Sequence, residues 1–308
     1  TAALSAQNNI TFVHRTQEST TVKKVQSNFI AVLFALASAL TIAWGTVVRH
    51  RIAEQAPGDG SRFTNAPILT VIRPLWWAGT GTALLGYFLQ TIALGFGTLL
   101  VVQPVLVLSL MFTLPLSALY DGRRISKTET FWSGALTVAV AVLVILGRPL
   151  PGITHPPLER WVPALAVGIV VMAGLERFAH IRPNREKALI LGIVTGALFG
   201  YVAVLSKAAV EIYQYYGVIG LITNWEGYAL ILGATLGTAV QQSSFNAGAL
   251  KNSLPAMTIS EPIVAFSLGY IVLGEKFQVT DLGWLWMALA LITMIISTVV
   301  LSQKSMKE

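Results

Sequence analysis

A chain of 308 residues that is 54% hydrophobic and only 11% charged, with a mean hydropathy of +0.67, is too apolar for a pair of soluble domains. It contains no cysteine, which excludes a disulfide framework, a thiolate metal site and a cysteine nucleophile. Its formal charge of +7 is spread between apolar runs rather than gathered into a stripe, so the charge reads as membrane topology and not as a nucleic-acid surface.

In chain order, residues 1–27 form a polar tail without a run fit for a cleavable signal peptide. A first membrane helix is expected over Asn28 to Val48, and a second over Pro74 to Leu94 after a polar loop. A third runs from Leu99 to Tyr120, closed by the charged turn Asp121 to Lys127, and a fourth from Phe131 to Leu146. A Pro-rich connector follows, Arg148 to Pro157. The remaining helices are expected at Trp161 to Leu175, Ala188 to Ala209, Trp225 to Leu250, Ser253 to Gly274 and Leu282 to Leu301. Most of these runs reach bilayer length. The expected fold class is therefore an all-α polytopic helix bundle with about nine transmembrane helices. Its parts are a first repeat over 28–147, a connector over 148–158, a second repeat over 159–303 and a short tail over 304–308.

Of the 21 Lys and Arg, fourteen fall on one side of this topology, among them Arg49, Arg73, Arg123, Arg177, Lys187, Lys251 and Lys304. The positive-inside rule then puts the amino terminus outside and the carboxyl terminus in the cytoplasm, in a bacterial plasma membrane. A weak internal repeat runs through the same plan. Ala35, Ala39 and Ala43 place a small residue at every fourth position of the first helix, and Gly192, Gly196 and Gly200 do so in the sixth. Leu89-Gln90 aligns with Gln241-Gln242, and Asp121-Gly122-Arg123 with Leu273-Gly274-Glu275. On the proposed topology the two repeats are inverted, which is the plan of secondary transporters.

Several of these stretches are similar to a known family. Pro74-Leu-Trp-Trp-Ala-Gly79 and Tyr87 to Pro104 resemble the second and third helices of the NIPA-type, EamA-like branch of the drug/metabolite transporter superfamily. Pro255 to Pro262 followed by Val272-Leu-Gly-Glu275 looks like its proline-bearing helix ending in a Gly-Glu loop, and Ala43-Trp-Gly45 like its first-helix Trp-Gly. The resemblance implies two inverted five-helix repeats, with one helix absent from the first half here. It also implies transport of a small-molecule, lipid-linked or ionic substrate. It does not choose among amino acids, nucleotide sugars, lipophilic cations, lipid-linked sugars and magnesium.

The residue that most needs explaining is Glu261, a carboxylate about eight residues into an apolar run and so roughly 12 Å below one surface. Gln242 and Asn246 share a helix face on the other arm of the hairpin that turns near Lys251, and Gln242 is expected at the depth of Glu261. Gln90 and Gln103 mirror each other about Gly95 to Gly97. With one formal charge among them, these groups suit a proton, a cation or an amine-bearing substrate. The bland alternative for Glu261 is a protonated helix contact, and for the glutamines ordinary interhelical hydrogen bonds. Lys207, two turns from the outer end of its helix, is expected to snorkel; the alternatives are attraction of an anionic substrate or a pair with Glu261. Glu176 and His180 lie four apart beside Arg177, but on a charged loop they do not amount to a metal site.

No nucleophile elbow, P-loop or His/Asp/Glu cluster is present, so the expected protein is not an enzyme and carries no cofactor beyond a coupling proton. The reading is a secondary transporter of a small polar or amphiphilic solute, working by alternating access with a proton on Glu261. Against it stand a magnesium or cation transporter, a lipid-linked sugar flippase and an accessory membrane subunit. Membrane lipids are implied partners, and an oligomer or accessory partner stays open.

Overall fold

The computed structural model describes residues 27–45, 47–48, 74–122, 124–153, 155–247, 250–280 and 282–304. Apart from one isolated bridge, the regular structure of these residues is helical. The helices are α1 (Ser27–Gly45), α2 (Pro74–Phe96), α3 (Leu99–Val107), α4 (Ser109–Asp121), α5 (Lys127–Gly147), α6 (Leu158–His180), α7 (Asn184–Thr223), α8 (Trp225–Ala247), α9 (Leu250–Leu268) and α10 (Leu282–Lys304). A π-helical turn, Gly269–Leu273, continues α9. Seven of the described helical segments are long and apolar enough to cross a membrane, α3 and α4 counting together as Leu99–Leu119. Many large apolar side chains point outward, as on α6, where Val162, Val167, Ile169 and Val170 are exposed. A surface of this kind belongs in lipid. The chain is a multi-pass membrane protein.

α7 is the axis on which α6, α8 and α9 pack, and its glycines explain the closeness of α9. A Cβ at Gly192 would stand 2.7 Å from the Ser253 carbonyl oxygen, at Gly196 2.5 Å from that of Met257, and at Gly200 2.9 Å from that of Glu261. The two backbones are in contact with no room for a methyl group. The expected glycine stripe thus faces a close helix neighbour. The alanine stripe of α1 is also inward, with Ala31, Ala35, Ala39 and Ala43 fully buried. Side-chain hydroxyls tie further pairs: Ser38 donates to Gly86 O across α1 and α2 at 2.7 Å, Tyr201 to Ala164 O across α7 and α6 at 2.6 Å, and Ser244 to Ala188 O across α8 and α7 at 2.9 Å.

Three elements differ from the sequence expectation. The third helix is divided at Leu108, between Pro104 and Pro115, each of which removes an amide from the helical ladder. The sixth runs well beyond Ala209, because the polar stretch after it stays helical until Gly217, where φ 64° and ψ −156° suit only glycine. The connector is not a free link: Leu150 N–H donates to Lys276 O at 2.7 Å, Ile153 N–H to Leu273 O at 2.7 Å, and Gln278 N–H to Gly147 O at 2.9 Å. It therefore lies against the chain that follows α9. Gly122 and Gly274, aligned in the sequence, both close their helices in the left-handed conformation at φ 66° and 70°.

The close approach at Gly196 yields a paired prediction. Gly196→Ala should lower the melting temperature of detergent-purified protein, by an overpacking cost of about 1–3 kcal/mol. Gly134→Ala, whose Cβ meets nothing within 4 Å, should leave it unchanged or raise it.

Candidate functional site

The interruption between α2 and α3 exposes backbone groups that lipid cannot satisfy. Gly97 and Thr98 leave the helical path, Thr98 with φ −78° and ψ 157°. Most of the polar groups thus freed are taken by side chains from far along the sequence. Lys207 Nζ donates to Leu94 O at 2.8 Å and to Gly97 O at 2.9 Å. Gln214 Nε2 donates to Gly95 O at 3.0 Å, and Ser27 Oγ donates to Phe96 O. On the other side, Leu99 N–H donates to Glu275 Oε1 at 2.9 Å and Leu100 N–H to Glu275 Oε2 at 3.0 Å.

The arrangement follows helix electrostatics. An ammonium lies at the carbonyl end of α2 and a carboxylate at the amide end of α3, each opposite in sign to the partial charge it meets. The third proton of Lys207 goes to Glu211 Oε1, one turn along α7, at 2.9 Å. Lys207 is only 6% exposed, and its ammonium makes the three donations it has to give. Glu275 is buried too, and a side chain at Gly269 would stand 3.7 Å from its Oε2. The carboxylate therefore packs against the π-helical turn at Gly269.

Lys207 does not snorkel to the surface, nor does it pair with Glu261. It turns inward because the unmet carbonyls of α2 lie closer in energy than bulk water does. Glu261 sits about 16 Å along α9 from Leu250, near mid-depth. Lys207 lies about 10 Å farther along α7 than Gly200, the residue that touches the Glu261 backbone. Glu261 is partly buried and has no hydrogen-bond or ion-pair partner among the described residues. The side chains of Gln242 and Asn246, on the last turns of α8, lie outside the described residues, and so does the expected approach of Gln242 to Glu261. Gln90 and Gln103 are both buried, one turn before Leu94 and one turn after Leu99, so they flank the break on either side. Gln103 is 1% exposed, and its Nε2 has no partner among the described residues.

Beside this locus the end of α7 and the connector border an open hollow of about 540 Å³ lined by His155, Tyr216, Ile219, Gly220, Thr223 and Asn224. The His155 ring meets that of Tyr216 edge-on at 5.2 Å, and its Nε2 has no partner among the described residues. Below it Trp161 is fully buried, edge-on to Trp225 at 5.2 Å.

Glu211, Gln214, His155 and Glu275 were not singled out as site residues from sequence. Glu211 had a local signal, standing four residues after Lys207 on one helix. Glu275 had only its Gly-Glu loop, and its contact with Leu99 spans 176 residues.

Removing the ammonium should leave Glu211 and two carbonyls buried without a partner. Lys207→Met is expected to destabilise the protein by about 3–5 kcal/mol, read as a lowered melting temperature. Lys207→Met combined with Glu211→Leu should recover part of that loss, since the buried carboxylate is then gone as well.

No family model matches the chain, and no solved structure matches it. The chain is 66% identical over 281 residues to a protein of Corynebacterium glutamicum described as uncharacterized, an alignment covering 91% of this chain and 97% of that relative. The alignment spans nearly the whole length of both, and the chain belongs to the family of that Corynebacterium glutamicum protein.

Proposed function

We propose that the protein is a secondary transporter that moves a small polar or amphiphilic solute by alternating access, in the manner of the drug/metabolite transporter superfamily and its EamA-like, NIPA-like branch. The observation that carries this reading is the interrupted helix before the connector, held at both ends by charges supplied after it, Lys207 to Leu94 and Gly97 and Glu275 to Leu99 and Leu100. Broken helices with matched charges at the interface of two bundles are how transporters place polar groups inside the membrane. A bundle that served only as a scaffold has no need of such a break.

The finer plan has nine crossings, with α2 and α8 among them, arranged as two inverted repeats before and after the connector. The matching left-handed glycines at Gly122 and Gly274 support that alignment, as do the two small-residue stripes. Glu261, near mid-depth and without a polar partner among the described residues, takes the coupling proton. Gln90, Gln103, Gln242 and Asn246 offer uncharged donors and acceptors along the path.

Purified protein in liposomes, screened first for solutes that raise its melting temperature, tests the reading directly. A stabilising solute should be taken up by the liposomes, and binding without movement would favour an accessory subunit. With such a solute, Glu261→Gln should abolish uptake driven by a pH gradient while solute exchange continues. Wild-type pH dependence in Glu261→Gln would remove Glu261 from the coupling step.

A further inference from the structure

The carbonyls that end α2 are answered in two ways. Gly95 O and Phe96 O accept from neutral groups, Gln214 Nε2 and Ser27 Oγ. Leu94 O and Gly97 O converge instead on one point, the Lys207 Nζ, at 2.8 and 2.9 Å, and Glu211 Oε1 meets the same point at 2.9 Å. Two carbonyls at the negative end of a helix and one carboxylate make a cage of oxygens suited to a single positive charge. In secondary transporters, unwound carbonyls and half-helix ends of this kind hold a free cation. Here the cation is a side chain. The cage is held by more than its occupant: Gly97 N–H donates to Ala93 O at 2.9 Å, and a Cβ at Gly97 would stand 2.5 Å from that of Ala31, so this backbone is wedged against α1.

We propose that the Leu94 O, Gly97 O and Glu211 Oε1 cage is a monovalent-cation site that Lys207 fills in cis, with a primary ammonium as the ligand it recognises, so that the break closes without a free sodium or potassium ion. The oxygens stand where charge-assisted N–H···O bonds place them, at 2.8–2.9 Å. Hard metal cations draw oxygens closer and in greater number, calcium taking about six to eight at 2.3–2.6 Å. The acceptors of the cage match the N–H donors of an ammonium, which a metal ion and a quaternary amine both lack. Because the occupant is tethered, its effective concentration in the cage does not follow the salt outside. The bearing on coupling rests on the transport reading: solute movement through this bundle then needs neither sodium nor potassium at the break. The cage itself stands on geometry alone.

Emptying the cage tests this. Lys207→Ala removes the outline of n-propylammonium, and Lys207→Leu, which keeps more of the stem, removes the outline of methylammonium. Each variant is extracted and purified with the amine chloride present from lysis onward, at matched ionic strength and at pH 7, where both amines are protonated as a lysine is. We expect n-propylammonium to raise the melting temperature of Lys207→Ala, and methylammonium that of Lys207→Leu, by about 2–4 °C, with the wild type unmoved by either. Tetramethylammonium, which has the charge but no N–H, should do nothing for either variant. Adding Glu211→Gln to Lys207→Ala should remove most of the rise, because the charged oxygen is gone. The wild type should melt at one temperature in sodium, potassium or choline chloride. An equal effect of tetramethylammonium and the primary amines overturns the proposal by assigning the rise to salt. So does a rise that Glu211→Gln leaves intact, and so does a wild type that sodium or potassium stabilises over choline. If Lys207→Ala fails to fold, Lys207→Leu decides; if neither folds, or neither responds, with its amine present, the proposal is rejected. No readout uses a transported solute, so a cage that takes an ammonium in a protein that moves nothing would reject transport and keep the site.

Discussion

Everything at one end of this bundle depends on keeping broken backbone satisfied without water. Between α2 and α3 the chain leaves the helix inside an apolar surround, and each unmet carbonyl or amide there costs several kcal/mol. Lys207 and Glu275 meet that cost with full charges placed at the helix ends of opposite partial charge. Because the two residues come from α7 and from the segment after α9, the repair of one loop also binds three parts of the chain together.

The rest of the packing makes that repair reachable. Glycines at 192, 196 and 200 let α9 lie against the backbone of α7, which fixes where the end of α9 falls. The π-helical turn Gly269–Leu273 and the left-handed Gly274 then bring Glu275 round to the start of α3. A Cβ at 269 would stand 3.7 Å from the carboxylate, in ordinary contact with it, so the π-helical turn packs directly beside Glu275. The pairing of Leu150 with Lys276 and of Ile153 with Leu273 holds the connector over the same end, which sets His155 beside the charged cluster. Small residues and tight turns, rather than large apolar contacts, are what position the polar chemistry.

The clamp joins parts of the chain that are far apart in sequence. Its bonds are few and charge-assisted, an ammonium on two carbonyls and a carboxylate on two amides. Glu261 is of another kind: it lies deeper, on the α7-facing part of α9, and lacks a polar partner among the described residues. One locus holds the bundle together at its end while the other places a carboxyl group without a polar partner among the described residues near its middle.

How much of this was legible beforehand follows from the range of each interaction. Hydropathy is local, so residue order by itself determined the membrane character, the approximate places of the apolar helices and the inward facing of the alanine and glycine stripes, which are properties of single helices at 3.6 residues per turn. It also marked Gln90 and Gln103 as mirrored about Gly95 to Gly97, and the structure buries both on either side of the break, Gln90 about two turns before it and Gln103 little more than one turn after it. The helical extension past Ala209 was not legible, because Glu211 to Tyr216 is too polar for a hydropathy window and is held helical by contact with the connector end of the bundle. The role of Lys207 was not legible either. A lysine near a helix end snorkels if water is its best partner, and only the tertiary structure, by setting the Leu94 and Gly97 carbonyls beside it from more than a hundred residues away, decided that it turns inward.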